Sequence, residues 1–186
     1  MSAPGVRGII DLSLHPMFVG TNFVKEDGRV EANCTGSSTL SGSPTQDCEI
    51  AQYFLCSEYG IDLPEYDYRW WDFVACMYRN QSTLSASDAA DAPFQGVVSS
   101  CSATAGFEAS KNKELHQCYA NDGGALLQKD HEKVTQYYED AVWITVNGVL
   151  ESDSDSWLTA ICDAYEGVPP EGCETTAALS SVASKH

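Results

Sequence analysis

No two cysteines in this chain are spaced as Cys-x-x-Cys. That excludes, within these residues, the adjacent dithiol that disulfide oxidoreductases use and the clustered thiolates of most structural zinc sites. The only close pair of metal-ligand types is His116 with Cys118, so no metal and no cofactor is expected. Basic residues are also scarce. Ten Lys and Arg stand against 27 Asp and Glu, a net charge of −17, which makes nucleic acid and anionic membrane surfaces poor partners. No apolar run reaches about 18 residues, so no membrane span is expected. The opening Met1–Gly8 stretch lacks an apolar core of about 7–15 residues, and a targeting segment is not expected within it.

What is abundant is cysteine, spread along the length of the chain. Eight cysteines, at Cys34, Cys48, Cys56, Cys76, Cys101, Cys118, Cys162 and Cys173, are an even number in 186 residues. They read as a structural disulfide framework made in an oxidising compartment, lumenal or extracellular. Asn33-Cys34-Thr35 and Asn80-Gln81-Ser82 fit the glycosylation tripeptide, making Asn33 and Asn80 candidate sugar sites. The acidic surface repels itself less as pH falls, which suits an acidic compartment, although solubility alone is the simpler account.

Length predicts one domain over residues 1–173, with the small, polar stretch 174–186 a disordered tail. Gly8–His15 alternates Ile10, Leu12 and Leu14 against Asp11 and Ser13, the period of a strand, and Pro16 closes it. Gly20–Pro44 is small and polar and reads as a long loop tethered by Cys34 and Cys48. Helices are expected over Gln46–Glu58 and over Glu65–Arg79. The second carries Tyr66, Trp70, Phe73, Val74, Met77 and Tyr78 at helical spacing, a seam for the core more than a ligand box.

Residues 82–93 form a Ser/Ala/Asp linker, followed by a helix pair over Phe94–Tyr119 and a helix over Gly124–Tyr138. His131 falls on the apolar stripe of the latter, where a lone histidine is packed more often than catalytic. The stretch Ala141–Leu150 holds two β-rich runs joined by Asn147-Gly148, the signature of a type I′ hairpin. A short helix over Trp157–Tyr165 follows, begun by the Ser and Asp residues of 152–156 and ended by Gly167, Pro169 and Pro170.

Several segments are similar to one known family. Val142-Trp-Ile-Thr-Val-Asn-Gly148 resembles a Pro-Trp-Val-Thr-Val-Asn-Gly motif, and Leu158–Cys173 resembles a helix with two cysteines at this spacing. Ile9–Pro16, Gly28–Cys34, Val74-Ala-Cys-Met77 and Leu115–Gly124 resemble further segments of it. The family is the gamma-interferon-inducible lysosomal thiol reductases, known as GILT. The resemblance implies an α/β (α+β) fold: a thioredoxin-like sheet, here without its first strand, with a disulfide-rich helical insertion over about 34–135. It also implies secretory or lysosomal residence.

The departures bear on activity. The family acts through a Cys-x-x-Cys pair on a strand–helix turn upstream of the matched region, and Thr35-Gly36-Ser37 stands where the family has Gln-His-Gly after the signature cysteine. Val142 occupies the position of the family's cis-proline, and a cis bond there would cost about 3–4 kcal/mol, so a trans bond is expected. No catalytic residue is assigned. Cys48 and Cys56 are the nearest cysteines that could serve as an exchange pair, with structural bridging as the rival; neighbours in sequence are the expected partners, Cys162 with Cys173 first.

Two functions follow. One is a GILT-like thiol reductase relative without catalysis in these residues; the other is a non-catalytic, disulfide-stapled binding or structural subunit. A sheet lacking its central strand leaves an open edge, so a protein partner or oligomer is expected.

Overall fold

The structure, a computed structural model, describes residues 5–16, 21–34, 44–65, 67–84, 86, 90–134, 144–151 and 156–173. It is mixed α/β and mostly helical. Two compact units divide it, one formed by residues 1–12 with 137–186 and the other by residues 13–136.

The larger unit is organised around one helix. α1 (Pro44–Tyr59) packs against α2 (Arg69–Arg79), α5 (Ala109–Asn121), α6 (Gly123–Val134) and the strand β2 (Arg29–Cys34). Cys48, Ile50, Ala51, Tyr53, Phe54, Leu55 and Cys56 are all buried along it. A helix buried on several sides cannot show one clean apolar stripe, and α1 shows none. By contrast α2 is strongly amphipathic: Trp70, Phe73, Val74 and Met77 are buried, whereas Tyr78 on the other side is exposed. Each such large apolar side chain stabilises the fold by roughly 1.5–3 kcal/mol through burial. The seam is therefore core from Trp70 to Met77, as its spacing predicts, whereas Tyr78, expected on the same seam, is exposed at its edge, and Tyr66 lies outside the described residues.

α2 begins at Arg69, four residues later than the apolar period suggests. Arg69 explains the start: its guanidinium grips the Asp67 carboxylate through Nε and Nη2 and donates to the Gly106 carbonyl oxygen at 3.0 Å. α3 (Gln81–Leu84) is a single turn, and α4 (Ala92–Thr104), which starts with Pro93 in its first turn, packs on both α2 and α3. The helix pair expected over 94–119 is α4 with α5.

Two expectations are corrected here. The stretch 20–44 is not all loop: β1 (Thr21–Glu26) pairs antiparallel with β2 through Asp27-Gly28, from Thr21 opposite Cys34 to Glu26 opposite Arg29. Asp27 and Gly28 both take positive φ, 47° and 82°, the conformation a two-residue hairpin demands. The strand expected over Gly8–His15 is also absent. Val6–Ile9 is a 3-10 turn, and residues 10–16 join no ladder. Their alternation in burial is real: Ile10, Leu12 and Leu14 are half-buried while Asp11, Ser13 and His15 are exposed. What differs is the backbone partner, for Leu14 gives its N–H to the Glu58 carboxylate instead of a neighbouring strand.

The smaller unit holds the 3-10 turn, the hairpin β3 (Thr145–Val146) with β4 (Val149–Leu150), and α7 (Trp157–Ala164), which packs on β3. Asn147 and Gly148 adopt φ of 49° and 80°, so the expected type I′ turn forms. Ser156 precedes α7 and donates from Oγ to Glu151 Oε2. Gly5, at φ 75°, lies close against Pro170, where a side chain would not fit. Val142, with its expected trans peptide bond, and the tail 174–186 lie outside the described residues.

Candidate functional site

The residues the sequence singles out most strongly are the cysteines, and the structure joins them across helices. Cys56 on α1 bonds Cys118 on α5, with Cα atoms 5.7 Å apart across 62 residues of chain. Cys76 on α2 bonds Cys101 on α4 across 25 residues, and Cys162 on α7 bonds Cys173 across 11. Cys48 is also disulfide-bonded, and no free cysteine occurs among the described residues.

Only part of the neighbour rule survives. Cys162 does pair with Cys173, but Cys56 passes over Cys76 to reach Cys118, so one bridge is nested inside the other. Packing decides this: α1 lies against α5 and α2 lies against α4. The alternative in which Cys48 and Cys56 work as an exchange pair is removed, since Cys56 is committed to Cys118. Cys56, Cys76, Cys101 and Cys118 are each at most 8% exposed. A thiolate from another molecule must reach a sulfur to exchange with it, and these four are closed to that approach.

The most polar cluster near these bridges surrounds Tyr53, whose ring is buried on α1. Its hydroxyl oxygen accepts from Gln95 Nε2 at 3.2 Å and lies 3.2 Å from His116 Nδ1. The ring of Tyr53 stacks on Tyr119 at 4.2 Å, 7° from parallel, and tilts against Phe94.

Burial pushes the Tyr53 and Tyr119 phenols up, away from ionisation, and pushes the His116 imidazole down, towards neutrality. All three groups are therefore neutral near pH 7. A neutral set of this kind, with Tyr53 hydrogen-bonded to His116 and stacked on Tyr119, positions helices; it presents no activated nucleophile.

The remaining site residues are placed as follows. Asn80, at the C-terminal end of α2, donates from Nδ2 to the Cys76 carbonyl oxygen at 2.9 Å and lies 3.8 and 3.9 Å from the sulfurs of Cys76 and Cys101. The nitrogen to which a sugar would attach is thus turned inward onto the bridge. Asn33 stands opposite Asn22 in the β1–β2 ladder, and its side chain, like that of Cys34, lies outside the described residues. His131 packs its ring 5.6 Å from that of Phe23, the packing role expected of it. No group of three or more His, Cys, Asp or Glu among the described residues could hold a metal ion.

Disulfides of this number suggest an oxidising secretory or extracellular environment. No helix among the described residues is long and apolar enough to cross a membrane. Residues of this cluster that nothing in the sequence joins are Tyr53, Gln95 and His116, which lie on three helices and share no sequence pattern; His116 stands out in the sequence only beside Cys118. No family model matches this chain, and no curated protein matches it.

Proposed function

We propose that this chain is a disulfide-fastened module of the secretory pathway, related to the GILT thiol reductases, whose cysteines join helices instead of exchanging electrons. One observation carries the reading: the two bridges of the larger unit, Cys56–Cys118 and Cys76–Cys101, are buried within helix packing. Thiol–disulfide exchange needs an accessible sulfur and a second thiol to resolve the mixed disulfide, and these bridges meet neither need.

The kinship is supported by Val142–Gly148 and Leu158–Cys173, the segments most similar to the family, and by the Cys162–Cys173 bridge within the second. A thioredoxin-like ancestry and residence in an acidic, lysosome-like lumen belong to this same proposal. The net charge of −17 is in keeping with such a lumen, where carboxylates repel one another less.

The test is insulin reduction at acidic and neutral pH, run beside thiol labelling of the denatured, unreduced protein. No turnover and no labelled thiol are expected; turnover, or two labelled thiols, overturns the reading.

A second reading, a binding subunit, is favoured by the β3–β4 hairpin. Val149 and Leu150 on it are 64% and 45% exposed, beside strand edges that no other strand among the described residues pairs. Such an edge can accept a strand from another chain. Native mass measurement of the wild type against Val149→Lys tests it: an assembly lost in the variant supports docking through the hairpin, and a monomer in both removes it.

A further inference from the structure

Two consecutive residues of the extended segment 10–16 reach two different helices. The Leu14 N–H donates to Glu58 Oε2 on α1 at 3.2 Å, and His15 Nδ1 lies 2.6 Å from Asp130 Oδ1 on α6. Residues 13–16 therefore lie as a strap over the α1–α6 pair, which is itself one of the closely packed helix pairs of the unit.

The two members of the His15–Asp130 pair differ in their access to water. The Asp130 side chain is 5% exposed, while that of His15 is 37% exposed. Asp130 Oδ2 is buried and has no hydrogen-bond partner among the described residues. A carboxylate withdrawn from water with one oxygen bare is costly unless its other oxygen meets a cation. His15 supplies that cation only when protonated, and its exposed side lets the proton come and go.

The ionisable groups around the pair are Glu58 and Tyr59 from α1 and Lys133 from α6. The hydrogen bond to Asp130 holds the His15 imidazolium above its ordinary range, with Glu58 adding to the effect and burial and Lys133 opposing it. A histidine whose folded value is raised contributes stability that is complete below its unfolded value of 6.5 and is lost as pH rises through the folded value.

We propose that His15 and Asp130 form a proton-operated latch, which fastens residues 13–16 across α1 and α6 when His15 is protonated and loosens them as pH rises. The latch stands on the geometry of the larger unit and does not depend on whether the cysteines are purely structural. In an acidic compartment the strap is closed; at neutral pH and above an ion pair is exchanged for a hydrogen bond from a neutral imidazole to the Asp130 carboxylate.

The experiment is amide hydrogen exchange at Leu14 in Glu58→Gln, whose side-chain oxygen still accepts from Leu14 but does not titrate, corrected for intrinsic rates, between about pH 5 and about pH 8, the range in which histidine charge changes. A second measurement is the titration of the His15 ring by NMR. In Glu58→Gln, Leu14 protection is expected to fall about fivefold on raising the pH, as the His15–Asp130 ion pair gives way to a hydrogen bond from a neutral imidazole. Adding His15→Gln to Glu58→Gln should give low protection at both ends of the range. Asp130→Asn should return the His15 midpoint to the ordinary range.

Protection in Glu58→Gln that does not change with pH, an equal fall when His15→Gln is added, or a His15 midpoint that Asp130→Asn leaves in place would each overturn the latch.

Discussion

Gly60 lies so close to Cys118 that a Cβ built on it would overlap the Cys118 sulfur, while standing 2.8 Å from Cys118 Cβ and 2.9 Å from the Cys56 carbonyl oxygen. The Gly60 N–H donates to that same carbonyl at 2.9 Å, closing the end of α1. Glycine is therefore what lets the α1 terminus fit beside the Cys56–Cys118 bridge. Gly60→Ala is expected to destabilise the protein by about 1–3 kcal/mol, the cost of forced overpacking. A urea unfolding midpoint within error of the wild type would show that the bridge can shift aside.

Gly124, in the first turn of α6, faces backbone and not a side chain. A Cβ there would overlap the Val30 carbonyl oxygen on β2 and come 2.8 Å from its carbonyl carbon. Backbone held in a ladder cannot move as a side chain can, so Gly124→Ala should push β2 off α6. The expected cost is about 3 kcal/mol, at the upper end for overpacking. The local sign is loss of the Phe23–His131 ring contact, readable as a shift of the Phe23 ring resonances.

The three described bridges should open in a fixed order under limiting reductant. Cys162 is half-buried, whereas the cysteines of the other two bridges are buried, and Cys162–Cys173 closes the shortest stretch of chain. Accessibility governs attack by a thiolate, and a short loop gives the least stabilisation on closure. Alkylation and mass spectrometry at increasing dithiothreitol should label Cys162 and Cys173 first. Earlier labelling of Cys76 or Cys101 would mean that α2 and α4 separate more readily than their packing implies.

Stability should fall as pH rises from acid to neutral. Burial pushes the Glu58 carboxyl up to about 7 from 4.5, against the hydrogen bonds from Tyr59 and Leu14 that favour its charged form. A carboxyl raised on folding stabilises the native state fully below its unfolded value, and that contribution is lost between pH 4.5 and about 7. His15 acts in the same sense. Asp67, held below the usual carboxylate range by Arg69, acts in the opposite sense, and its contribution is lost only in stronger acid. After allowance for the part of Glu58 that meets water, its share of the decline is on the order of 1 kcal/mol. Glu58→Gln should flatten the midpoint–pH profile by that amount; a profile unchanged by the substitution would place the decline elsewhere.

Local chemistry was readable in the sequence wherever a short stretch decides its own conformation. Asn147-Gly148 and the period of Trp70, Phe73, Val74 and Met77 led directly to a turn and a buried helix face. Asp27-Gly28 carries the same signal as Asn147-Gly148, yet the small polar residues around it obscured the flanking strands. Ile10, Leu12 and Leu14 show the limit of periodicity, which reports the face that is buried and not the partner that receives the backbone N–H.

The sites built from distant residues were hidden for a different reason. Cys56 meets Cys118, Tyr53 meets His116, and His15 meets Asp130 across 115 positions of chain. No spacing rule spans such distances, because helix packing decides which residues meet.

The nesting of Cys76–Cys101 inside Cys56–Cys118 has a consequence for biosynthesis. In a chain synthesised N-terminus first, Cys76 is in reach of Cys56 before Cys118 is made, so a non-native partner is on hand before the native one. Oxidative folding is then expected to include exchange of such premature crosslinks, at a rate set by the oxidant and isomerase present.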